Sequence, residues 1–179
     1  MQVAVDNVKA PGDGRIGLVA CPGIGGALAA PGRGAALDTD LAGLCQWGAS
    51  ALVSLTETFE LRLLGAAELP ERSGAQGLEW WHLPIVDGAA PGGAFEAAWT
   101  QAGPALHARL DAGERIVLHC HAGLGRSGAV AARLLTERGL TAAAAIRAVR
   151  RARPGAIQTP EQERWVLRTA AGGDTDAPA

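Results

Sequence analysis

His119-Cys120-His121-Ala122-Gly123-Leu124-Gly125-Arg126-Ser127 is the stretch on which the reading of this chain turns. The short run Arg115-Ile116-Val117-Leu118 leads into it, and a helix-forming stretch from Arg126 to about Arg138 follows. A buried strand therefore ends in a glycine-bearing loop that feeds a helix. Helix N-termini present unpaired N–H groups and the positive end of the macrodipole, so such a loop suits an anion. A cysteine opens the loop, and an arginine stands six residues later. The planar guanidinium fork matches two oxygens of a phosphate in a way lysine does not. Nearby cations and a helix N-terminus also favour the thiolate form of a cysteine. The loop thus reads as a phosphate cradle in which Cys120 can attack phosphorus.

Outward from this loop, short apolar runs alternate with helical patterns. Ile16-Gly17-Leu18-Val19-Ala20, Ala51-Leu52-Val53-Ser54-Leu55 and Trp80 to Leu83 read as further strands. Helices are expected over Asp38 to Trp47, Glu57 to Leu64 and Phe95 to Leu110, with Pro104 as a possible bend in the last. Thr141 is placed to cap a helix running to Arg151, which Arg153-Pro154-Gly155 breaks. Thr159 caps a final helix with Pro160 at its first position and Glu161 and Glu163 in its first turn. The glycine- and proline-rich segment from Cys21 to Gly34 is a loop. Its Gly23-Ile24-Gly25-Gly26 is a poor nucleotide fingerprint, because Pro31 and Gly32 interrupt the helix that should follow. The alternation implies an α/β fold, a mostly parallel central sheet flanked by helices on both faces. A single domain is expected over residues 1–171, with 172–179 a frayed tail.

Composition narrows the function. Hydrophobic residues make up 48% of 179, enough for a sizeable core, and the net charge of −2 argues against a general nucleic-acid binder. Three cysteines, one of them inside the cradle, make a poor disulfide scaffold and favour a reducing, cytoplasmic setting. Met1 to Asp6 lacks a basic start followed by an apolar core, so no signal peptide is expected. No apolar stretch reaches the roughly 18–20 residues a membrane helix needs. A monomer is expected.

The pattern His-Cys, five residues, Arg-Ser resembles the signature of cysteine-dependent protein tyrosine and dual-specificity phosphatases. Ala122-Gly123-Leu124-Gly125-Arg126-Ser127 resembles the subgroup around the cyclin-dependent-kinase-associated phosphatase. Leu83-Pro84-Ile85-Val86-Asp87-Gly88 with Pro91 resembles that subgroup's general-acid loop. Arg153-Pro154-Gly155-Ala156-Ile157-Gln158-Thr159 resembles its glutamine-bearing segment, and Gly14 to Pro22 its opening strand. The likeness spans roughly residues 14–170.

The resemblance implies a protein tyrosine phosphatase-like fold. It implies hydrolysis of phosphorylated proteins, phosphotyrosine first and phosphoserine or phosphothreonine also, through a phosphocysteine and without a cofactor. Cys120 is then the nucleophile, and Arg126 with the loop amides of His121, Ala122, Gly123, Leu124 and Gly125 holds the phosphate. Asp87 is general acid and then general base. Ser127 donates to the departing thiolate, and Gln158 orients the hydrolytic water. His119 is a supporting residue whose ring can hold loop carbonyls, and either Trp80 or Trp81 is placed to brace the acid loop.

Other readings of these residues are weaker. His119, Cys120 and His121 lie together, but zinc needs three or four ligands from separate places, so no metal is expected. Arg147, Arg150, Arg151 and Arg153 read first as a solvated helix end and second as an electropositive rim. A phosphoinositide or small-molecule phosphatase would use the same loop, yet such enzymes commonly place lysines in its crown. A non-catalytic phosphoprotein-binding module would tolerate loss of the cysteine or the acid, and both are present. A sulfur-transfer or arsenate-reducing enzyme would need neither Asp87 nor Gln158.

Overall fold

The computed structural model describes residues 4–24 and 33–172. Its elements run β1 (Asp6–Lys9), β2 (Arg15–Val19), α1 (Arg33–Trp47), β3 (Ala49–Ser54), α2 (Thr58–Leu63), α3 (Leu69–Ala75), β4 (Glu79–His82), α4 (Gly93–Asp111), β5 (Arg115–His119), α5 (Gly125–Glu137), α6 (Ala142–Ala152) and α7 (Pro160–Gly172). The middle of the glycine-rich segment and residues 173–179 of the expected 172–179 tail lie outside the described residues, and Gly172 itself closes α7.

The strand that leads into the cradle is the centre of the sheet. The order is β1-β2-β5-β3-β4, with β2, β5, β3 and β4 parallel and β1 antiparallel at one edge. The expected α/β architecture is therefore the one observed. A strand covered on both faces needs apolar residues in both directions, which is why Ile116-Val117-Leu118 is an unbroken run. Ile116 and Leu118 point into one core with Phe95, Leu106, Val130, Leu134, Ile146 and Val166 of α4–α7. Val117 points the other way, to Leu37, Leu41, Leu44, Leu61 and Leu69 of α1–α3.

Caps read from the sequence recur in the structure. Thr141 Oγ1 accepts from the Ala144 N–H at 3.3 Å, and Thr159 Oγ1 accepts from the Gln162 N–H at 3.2 Å. Helix α4 runs on through Pro104 to Asp111. Arg133 on α5 lies over the rings of Trp99 (4.8 Å) and Trp165 (5.2 Å) and pairs with Glu96 and Glu137, locking α5 to α4 and α7. Two elements were not anticipated. β1, Asp-Asn-Val-Lys, is a polar edge strand, and α3 carries Pro70 and Gly74 and little helical periodicity.

Candidate active site

Parallel strands deliver their loops to one edge of the sheet, and in open α/β sheets ligands bind beyond the carboxyl ends of the strands. β5 ends there in the Cys120–Arg126 loop. Gly123 lies at φ +70° against the Val19 carbonyl and the Ala20 N–H, where a Cβ would collide with backbone. The loop can coil this tightly only with glycine at that position. Gly125 meets a second limit, because a Cβ there would lie 2.9 Å from Gln158 Oε1 and 3.0 Å from the Gln162 amide. The Leu124 carbonyl accepts from the N–H groups of Gly128 and Ile157, and the His121 carbonyl accepts from Cys21 N–H at 2.9 Å. Cys120 is 3% exposed, while His121 and Ala122 stand out at the crown.

Arg126 opens α5 yet is only 1% exposed, so its guanidinium needs partners. Nη1 donates to Glu60 Oε2 at 2.7 Å and to the Ile85 carbonyl at 2.9 Å. Nη2 donates to Glu60 Oε1 at 3.0 Å and lies 2.9 Å from Asp87 Oδ1. Among the described residues, Arg126 Nε and the neighbouring Ser127 Oγ are buried without a hydrogen-bond partner. Of five guanidinium protons, two on Nη1 and one on Nη2 are therefore committed to the scaffold. The Nε–H and the second Nη2–H remain for an anion, with Nη2 ion-paired to Asp87 rather than hydrogen-bonded to it. Asp87 itself is 71% exposed on its loop. A phosphate oxygen taking that Nη2–H would displace Asp87 from the arginine.

Glu60 was not anticipated as a site residue. It lies on α2, and its Oε2 also accepts from the Glu57 N–H at 2.7 Å, a capping-box contact. Burial alone would raise its carboxyl, but the hydrogen bonds from Arg126 and from the Glu57 N–H, together with the Arg126 charge, outweigh that and hold its pKa below the usual value. Glu at the third position of a short helix was the signal available. Its partner lies 66 residues away.

His119 is fully buried at the end of β5. Its Nδ1 faces the Cys120 carbonyl at 3.3 Å and so must carry the proton. Nε2 is then an acceptor for Ser54 Oγ–H at 2.5 Å, and Ser54 Oγ accepts from Trp80 Nε1 at 2.7 Å. Burial pushes the ring's pKa down to about 4, so it stays neutral at pH 7. A relay of fixed hydrogen bonds thus runs from β4 through β3 to the cysteine's own carbonyl. Trp80 anchors this relay rather than the acid loop.

The acid loop is held by other means. Leu83 N–H and Ile85 N–H donate to the carbonyls of Ser54 and Leu55, extending the β3 pairing. Thr159 Oγ1 donates to the Gly88 carbonyl at 3.2 Å, and Gln162 Nε2 donates to that of Ala89 at 3.2 Å. Gln162 is buried, and its Oε1 accepts from the N–H groups of Gln158 and Thr159, so it ties the acid loop to the glutamine segment. Gln158 is exposed, with its amide against Gly125. The structure therefore brings Cys120, Arg126, Asp87, Ser127 and Gln158 to one edge of the sheet, with Glu60 and Gln162 added.

A family model described as a polymorphic toxin system, DSP-PTPase phosphatase, matches residues 26–140. The chain belongs to this DSP-PTPase family. Protein tyrosine phosphatase type IVA 3 of Mus musculus is 32% identical over 130 residues, covering 71% of this chain and 68% of that one. Kinase associated phosphatase, with its catalytic-site cysteine changed to serine, superposes with a TM-score of 0.84 at 23% identity over 99% of both chains. PTPMT1 in complex with PI(5)P superposes with a TM-score of 0.65 at 18% identity, over 88% of this chain and 90% of that one. The last two likenesses speak to the fold.

In this DSP-PTPase the other two cysteines differ in setting. Cys21 lies buried beside the loop, where burial, followed by the charge of Cys120, pushes its thiol up to about 12. Cys45 lies on α1 with its sulfur near the Gln76 carbonyl. Within the basic run, Arg153 Nη2 donates to the Ala122 carbonyl at 2.8 Å while its Nη1 pairs with Asp6 at 2.6 Å, tying β1 to the cradle. Arg150 holds the carbonyls of Ala156 and Ile157. These two arginines are scaffold, and Arg147 and Arg151 are exposed. Among the described residues no cluster of three or more His, Cys, Asp or Glu is arranged to hold a metal ion, and no helix is long and apolar enough to cross a membrane.

Proposed function

We propose that this phosphatase hydrolyses phosphorylated proteins, phosphotyrosine foremost and phosphoserine or phosphothreonine also, through a phosphocysteine. The observation that carries the reading is the state of Arg126. Its buried Nε–H is unpartnered, and its Nη2 forms an ion pair with the exposed carboxyl group of Asp87 on the adjoining loop. A phosphate dianion accepts a hydrogen bond from Nε–H and replaces Asp87 as the anion facing Nη2. Its arrival frees Asp87 beside the scissile bond.

In the first step the Cys120 sulfur attacks phosphorus and the P–O bond to the alcohol breaks. Asp87, released from Arg126 and protonated from solvent, gives that proton to the leaving oxygen. In the second step a water placed by Gln158 gives a proton to Asp87 and attacks phosphorus. The P–S bond breaks, and Ser127 Oγ–H is placed to donate to the returning thiolate. Arg126 and the loop amides hold the equatorial oxygens through both transition states. The free state of all three cysteines supports a reducing compartment such as the cytoplasm of the cell in which the domain works.

The second reading, phosphoinositide hydrolysis, is favoured by the PTPMT1 likeness, since that neighbour holds PI(5)P. The crown here offers His121, Ala122 and Leu124 and no lysine for a further phosphate, so the protein substrate is preferred. Cys120→Ser tests the mechanism. The variant should fold and bind vanadate yet lose turnover of an aryl phosphate, and acid quench of the native enzyme during turnover should leave phosphate on Cys120. Turnover by the variant would remove Cys120 from the reaction.

A further inference from the structure

Four large apolar side chains stand exposed among the described residues: Phe59 (54%), Leu63 (68%), Val86 (60%) and Leu167 (47%). Three of them belong to the two segments that grip Arg126. Phe59 and Leu63 are four residues apart on α2 and so share one face of that helix. Between them in sequence is Glu60, which turns inward to Arg126 Nη1 and Nη2. Val86 immediately precedes Asp87, which meets the same Nη2, and follows Ile85, whose carbonyl meets Nη1. Both segments are thus pinned to one guanidinium. Their outward side chains form an apolar rim beside the cradle, and the core does not use them.

Exposed apolar side chains gathered beside a site, rather than scattered, mark a binding surface. The charge around this rim decides among occupants. The α2–α3 side carries Glu57, Glu68 and Glu71 against Arg62 and Arg72, and Arg72 is already paired to Asp38 and Glu68. An anionic lipid surface needs a basic collar, and among the described residues this side has none. A polypeptide with bulky aliphatic or aromatic residues needs none. We infer that Phe59, Leu63 and Val86 form a subsite for bulky apolar residues flanking the phosphorylated residue of a protein substrate. This inference rests on the phosphoprotein reading above and narrows its substrate class.

The test uses the whole chain and three substrates of one phosphotyrosine peptide: flanking residues all Leu, all Ala, or all Glu. The Leu peptide should exceed the Ala peptide by about tenfold in kcat/KM, the scale of partial burial of one or two large side chains. The double variant Phe59→Ser, Leu63→Ser should erase most of that preference. Its kcat and KM for p-nitrophenyl phosphate should stay at the native values, since both side chains are exposed and outside the cradle. Equal turnover of the Leu and Ala peptides, or a preference untouched in the double variant, overturns the rim. Turnover of p-nitrophenyl phosphate with none of any peptide overturns the protein-substrate reading and the rim with it. Faster hydrolysis of phosphatidylinositol phosphate in vesicles than of any peptide, lost in the double variant, assigns the rim to a lipid surface instead and also overturns the inference.

Discussion

Replacing Glu60 by glutamine removes the charge facing the buried Arg126 guanidinium and keeps the side chain's shape. The native carboxylate accepts at 2.7 Å and 3.0 Å from two nitrogens of the same fork. Glutamine keeps one acceptor and turns a donor toward a donor. Removing one partner of a buried ion pair costs about 3–5 kcal/mol when the other charge is stranded. Arg126 is not stranded, because the Ile85 carbonyl and Asp87 remain. The loss should therefore be nearer that of one charge-assisted hydrogen bond, about 2 kcal/mol. For a chain of this length that lowers Tm by about 4–8 °C.

Because Arg126 holds the Glu60 carboxyl below its ordinary pKa, its contribution is complete above the unfolded value of about 4.3 and vanishes as pH falls through the folded one. The stability gap between native protein and Glu60→Gln, followed by urea unfolding, should be widest near neutrality and close below about pH 4. The freed fork also loses its aim, and a small misplacement costs on the order of 10²-fold in kcat/KM for an aryl phosphate. An unchanged Tm with unchanged kcat/KM would refute the clamp, and a gap independent of pH would refute its electrostatic basis.

Asp87→Ala should slow turnover by about 10²–10⁴-fold, more for an alkyl than for a nitrophenyl leaving group. The same variant should bind vanadate more tightly, because nothing then competes for Arg126 Nη2. Equal slowing for both leaving groups would reduce Asp87 to a turn residue. Arg153→Ala should free the Ala122 carbonyl and weaken vanadate binding, with about 1–2 kcal/mol of stability lost. Unchanged vanadate affinity would confine Arg153 to holding β1. His119 is held neutral by burial with a pKa of about 4, below its unfolded value of about 6.5. Its contribution to stability is therefore complete above about pH 6.5 and is lost toward pH 4, by an amount on the order of 3 kcal/mol. Urea midpoints of His119→Asn should change less across that interval than those of the native chain, and parallel slopes would contradict the assignment.

What the sequence made legible follows from locality. The cradle is nine consecutive residues, and its strand and helix lie directly before and after it. The central strands were readable because a two-sided burial leaves continuous apolar runs. β1 was not readable, because an edge strand of Asp, Asn, Val and Lys buries little. α3 was obscured by Pro70 and Gly74. Glu60 and Gln162 escaped for a different reason. Each looks like an ordinary polar helix residue, and only the fold brings one against Arg126 and the other between two loops. Of the two tryptophans, Trp80 sends its indole proton to Ser54 on the neighbouring strand, while Trp81 packs against the core cluster that holds Leu83 and Ile85 of the acid loop.

The ion pair between Arg126 Nη2 and Asp87 also imposes a sequence of events on the proposed reaction. While the guanidinium holds Asp87, the proposed acid is kept against Arg126. In the proposed reaction a dianion that reaches the bottom of the loop displaces that single carboxylate, and only then does Asp87 take a proton from solvent and pass it on. On the proposed mechanism, recognition and proton delivery are thereby interlocked in one side chain, which selects against weakly charged esters.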